Sequence, residues 1–72
     1  MTGILWRVDE RRGWAEEARL AMGVYMRRFG RAAQVVVVPP GTGLRLEGVK
    51  VREARWCLRG HLLAGDASES NQ

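Results

Sequence analysis

The chain has one thiol and one imidazole, Cys57 and His61, and they stand four residues apart. A thiol with an imidazole base beside it is a nucleophile, but only if the two side chains come within hydrogen-bond reach. The residues around them alternate as in a strand, and four extended residues separate Cα atoms by roughly 13 Å. Unless a bulge at Gly60 folds the chain back, the pair cannot act together. Cys57 then reads as a small half-buried apolar side chain, and His61 as a surface or interface residue able to respond to pH. With one cysteine and one histidine there is no intramolecular disulfide and no tetrahedral zinc set.

The remaining chemistry is as sparse. Asp9-Glu10 and Glu16-Glu17 are paired carboxylates by sequence, but neighbours on a helix point about 100° apart and share no proton. Asp9 suits a helix cap and the glutamates suit a first turn, where carboxylates meet the positive end of the dipole. Gly41-Thr42-Gly43 follows an apolar run, the place for a phosphate-cradling loop. It lacks the Gly-Lys-Ser/Thr of a nucleotide-binding loop and the third glycine of a dinucleotide fingerprint, so it reads as a turn. The expectation is a non-catalytic protein with no catalytic, cofactor or metal residues and no small-molecule substrate evident.

Charge is the stronger signal. The formal net charge is +4, and residues 1–65 hold 12 basic against 6 acidic groups. Eleven of the basic residues are arginine, a skew that a GC-rich genome also produces. They gather as Arg27, Arg28 and Arg31 near one helix end and as Arg45, Lys50, Arg52, Arg55 and Arg59 along a later ribbon. Such a strip suits phosphate contacts and makes nucleic acid a candidate partner; an ordinary solvated face is the alternative. No ribonucleoprotein signature and no helix-turn-helix pair accompanies it. Three tryptophans, Trp6, Trp14 and Trp56, read first as core; beside Arg7, Arg11 and Arg12, an exposed Trp6 would instead suit stacking or a protein partner.

These residues must be held by few elements. Trp14, Ala18, Ala21, Met22, Tyr25 and Phe29 recur at three- and four-residue steps, which predicts an amphipathic helix. It starts after Asp9 or at Gly13 and closes at Gly30, a glycine able to adopt the left-handed C-cap. Leu20 and Val24 project from the side opposite that stripe and form a second apolar patch, a candidate self-association surface. Val35-Val36-Val37-Val38 predicts a strand covered on both faces, stopped by Pro39-Pro40-Gly41. Residues 49–52 and 56–64 alternate and are expected to pair as a hairpin, with a bulge at Gly60. Residues 4–8 form either a first strand, the preferred reading, or an early helical turn.

The expected fold is α+β: one long amphipathic helix packed on a small, mainly antiparallel sheet of three to four strands, in the order β-α-β-β-β. Trp14, Tyr25 and Phe29 are expected against Val35, Val37, Val51, Trp56, Leu58 and Leu62. Residues 1–65 form one domain and residues 66–72 a disordered polar tail. With 72 residues and no disulfide or metal, a single core is marginal, which favours a homodimer through Leu20 and Val24 or an open sheet edge. No apolar run approaches the roughly 20 residues of a membrane helix, and a lone thiol suits the cytoplasm.

Overall fold

The computed structural model describes residues 3–66. Strand β1 (Gly3–Arg7) is followed by helix α1 (Trp14–Phe29), β2 (Val35–Val38), β3 (Lys50–Glu53) and β4 (His61–Gly65). The order β-α-β-β-β and the α+β class are those read from the sequence. The four strands form one sheet in the order β1-β4-β2-β3. It is mixed: β4 runs antiparallel to both β1 and β2, while β2 and β3 are parallel.

The expected hairpin is therefore absent, because β3 lies beside β2 and β4 is inserted between β1 and β2. The last strand starts at His61, and residues 54–60 fold as turns instead. The N–H of Cys57 donates to the carbonyl of Ala54 at 3.0 Å, and that of His61 to Leu58 at 3.2 Å. Gly60, with φ 71°, supplies the left-handed residue that the second turn requires. Trp56 and Leu58 are consequently no part of the core; they are exposed.

Helix α1 is closed as its sequence predicts. Gly30 is left-handed and its N–H donates to Met26 at 2.8 Å. At the other end the N-cap is Gly13 without a side-chain cap. Asp9 caps the preceding turn instead, its carboxylate accepting the N–H of Arg11 at 3.0 Å. Ala18, Ala21 and Tyr25 are fully buried against Ile4, Val36, Val38, Leu62 and Ala64. Each fully buried aliphatic side chain among them, Val36, Val38 and Leu62, contributes about 1.5–3 kcal/mol by apolar transfer. Phe29, expected in the core, is partly exposed and packs on Tyr25 with ring centroids 4.6 Å apart.

The parallel β2–β3 crossover, residues 39–49, runs on the same side as the helix, where Leu44, Leu46 and Val49 pack against the core. One layer thus holds α1 and the crossover, the other the sheet. The opposite sheet face is covered only in part, by Cys57 and Ala54 on Val35 and Val37, with Leu63 beside them. All four valines of β2 are buried, as expected of a strand covered on both faces. β1 approaches β4 closely at Gly3, where a Cβ would lie 2.6 Å from the carbonyl oxygen of Ala64. Asp66 pairs with Arg31 at 3.2 Å; the rest of the expected tail, residues 67–72, lies outside the described residues.

Candidate functional site

Several ionisable groups have specific surroundings. Glu17, at 3% exposure, is a buried carboxylate. One oxygen accepts the indole N–H of Trp6 at 2.8 Å, and the other accepts the backbone N–H of Asp9 at 2.7 Å. Glu17 is thus a structural strap between the end of β1 and the first turn of α1. It does lie in the first turn, as expected of the glutamates, but on the buried side of the helix, one step of three after Trp14 and one of four before Ala21.

Glu53 sits at the end of β3 and accepts the N–H groups of Gly41 and Gly43, each at 3.0 Å. Both glycines have positive φ, so their N–H groups converge on one anion. The Gly41-Thr42-Gly43 turn does cradle an anion, and that anion is the protein's own carboxylate. The bonds from Gly43 and then Gly41 hold the Glu53 carboxyl below its ordinary range.

Cys57 is buried, and burial raises its thiol above the ordinary range. Its Sγ lies 3.6 Å from the carbonyl of Val37 and 3.5 Å from that of His61. The turn at Gly60 does fold the chain back, but toward the main chain of His61. The imidazole faces elsewhere, with Nδ1 2.9 Å from the carbonyl of Arg59. The Tyr25 hydroxyl is buried without a hydrogen bond of good geometry. The Arg31 guanidinium beside it holds its proton more tightly, through Tyr25 first and Asp66 second.

The arginine clusters of the sequence come apart in space. Arg27 and Arg28 stay on the last turn of α1 and Arg31 just beyond it. Arg45 belongs to the crossover, where it lines a shallow groove with Arg19, Met22, Leu46 and Glu47. Lys50 and Arg52 pair in register with Val35 and Val37, which puts them on the sheet face away from the helix. Arg55 and Arg59 are exposed on the turns that follow. Arg7, outside the expected strip, joins that end of the sheet through its register with His61.

Leu20 and Val24 are both half-buried, and Val24 packs against the core. They follow Glu17 at steps of three and seven, along the helix line that Glu17 ties to Trp6. They therefore flank β1 instead of standing on the back of the helix, which Gly23 occupies. Arg19 and Met22 face the crossover on the other flank.

Among the described residues no helix is long and apolar enough to cross a membrane, and no group of three metal-ligating side chains occurs. Comparison with protein-family models, with curated proteins and with solved structures found no match.

Proposed function

We propose that this chain is a small, non-catalytic, cytoplasmic interaction protein that acts through self-association, with the free edge of β1 as its joining surface. One observation carries the reading: the two edges of the sheet are unequally guarded. β3 is an edge of Lys50, Val51, Arg52 and Glu53, and such charges discourage strand addition. β1 is Gly3-Ile4-Leu5-Trp6-Arg7, apolar until its last residue. Among the described residues it pairs only with β4.

Antiparallel pairing of β1 with the same strand of a second copy extends the sheet to eight strands about a two-fold axis. Leu5, 55% exposed, then meets Leu5 of the second copy on the open face. The two α1 helices lie side by side and antiparallel, covering the Leu20 and Val24 flank. Their acidic first turns, with Glu16, face the opposing basic last turns, with Arg27 and Arg28. The uses already found for Glu17, Glu53 and Cys57 support the non-catalytic part: each is bound to structural partners.

Light scattering at micromolar concentration tests this. The expected mass is that of two chains for the wild type and of one chain for Leu5→Lys and for Leu20→Glu, each with unchanged helical circular dichroism. A folded wild type that stays monomeric overturns the proposal, and so does a dimer that survives both substitutions.

A further inference from the structure

The seven residues between β3 and β4 are built around one inward side chain. Cys57 packs on Val35 and Val37. Its neighbours at 56 and 58 face water: Trp56 is 64% exposed and Leu58 is 57% exposed. Leaving an indole in water forfeits the transfer free energy that ordinarily draws tryptophan inward. An exposed indole of this kind is typical of contact surfaces, where one end of the ring system is covered and the other stays wet.

The charge around it has one sign. Arg55 and Arg59 bracket the turn in sequence, Lys50 and Arg52 stand on the adjoining sheet face, and Arg7 ends β1 beside His61. Glu53 is the lone carboxylate of residues 49–65, and it is turned to the other side and bound by Gly41 and Gly43. Asp9 and Glu10 lie past Arg7, where they line a recess with Arg7 and Val8; the Asp9 carboxylate already accepts from Arg11. The ion pairs found among the described residues, Glu16 with Arg19 and Arg31 with Asp66, involve none of these five cations.

We propose that the 54–60 turn is a binding site for single-stranded nucleic acid, in which the Trp56 indole stacks on a base while Arg52, Arg55 and Arg59 contact phosphates. An exposed aromatic ring offers a face to any unpaired base, whereas duplex bases are hidden in their own stack. An acidic peptide would neutralise the arginines and leave the indole without a flat partner. The site is separate from the β1 edge, so it stands or falls independently of self-association.

Fluorescence anisotropy with a labelled oligothymidylate of about twelve nucleotides, titrated with the full chain from about 20 to 300 mM KCl, tests it. Three phosphate contacts on a single strand give a slope of log K against log salt of about −2. Trp56→Ala should weaken binding roughly tenfold with the slope unchanged, and Trp56→Phe should restore most of the loss. Removing Arg55 and Arg59 together should flatten the slope by about 1.4. Absence of binding at the lowest salt overturns the site. Equal affinity of Trp56→Ala and wild type does so too, as does polyglutamate or duplex DNA competing better per charge than the oligothymidylate. Trp56 is exposed, so its replacement leaves the fold intact, and matching circular dichroism spectra verify this.

Discussion

The indole N–H of Trp6 donates to the buried carboxylate of Glu17 at 2.8 Å, across the junction between strand and helix. The second carboxylate oxygen takes the N–H of Asp9, where the chain leaves β1. One side chain therefore satisfies two donors, the indole of a β1 residue and a backbone N–H just past the strand's end. Replacing Glu17 by Ala leaves both partly buried donors without their acceptor and is expected to cost about 2 kcal/mol. Glu17→Gln retains one acceptor and presents an N–H₂ to the other donor, so it should recover less than half of that loss. Urea unfolding followed by tryptophan fluorescence measures both; an unchanged midpoint for Glu17→Ala would show that the strap contributes nothing.

The bond between Glu53 and the Gly41-Gly43 turn is a carboxylate interaction and must respond to acid. Its folded-state value lies below the ordinary 4.5, so the charged form is the one the fold favours. The stabilisation is complete above that ordinary value and is lost as the pH falls through the lower folded one. The amide protons of Gly41 and Gly43 should therefore move together in an NMR titration, with a midpoint below 4.5, and Glu53→Gln should abolish that movement. A midpoint above the ordinary value would reverse the sign and refute the assignment.

Cys57 is raised above its ordinary value by burial alone and faces two carbonyl oxygens. Since the thiolate is the reactive form, the native protein should react with a disulfide reagent at pH 8 at least about tenfold more slowly than glutathione does. Full reactivity should return in urea. Native reactivity equal to that of glutathione would mean that the 54–60 turn opens readily.

The first half of the fold was legible because each element there has its own local cause. The three- and four-residue steps from Trp14 to Phe29 require a helix, Gly30 ends it, and an unbroken valine run requires a strand hidden on both sides. The second half depends on which strands meet, and local pattern is silent on pairing. Trp56, Leu58, Leu62 and Ala64 share one parity, so residues 56–64 imitate a single long strand. Gly60, read as a bulge, is a full turn residue, and it removes Trp56 and Leu58 from the core. Those two exposed side chains are the centre of the proposed site, which is why sequence found its arginines but not its platform. Arg45 was grouped with Lys50 and Arg52 because both segments alternate polar with apolar residues; the crossover carries it to the other layer. Glu17 was illegible in a different way, since its burial depends on the indole N–H of Trp6, which β1 and not the helix supplies.

The insertion of β4 between β1 and β2 also sets a timetable for assembly. During synthesis β1 is made before the other described strands, yet its lateral neighbour, β4, is made after all of them. Until residues 61–65 exist, Gly3–Arg7 has nothing to zip against, and the growing polypeptide must keep an oily ribbon waiting while everything between them is produced. Closure of the sheet is then a long-range event that joins the two extremities of the described chain in one step.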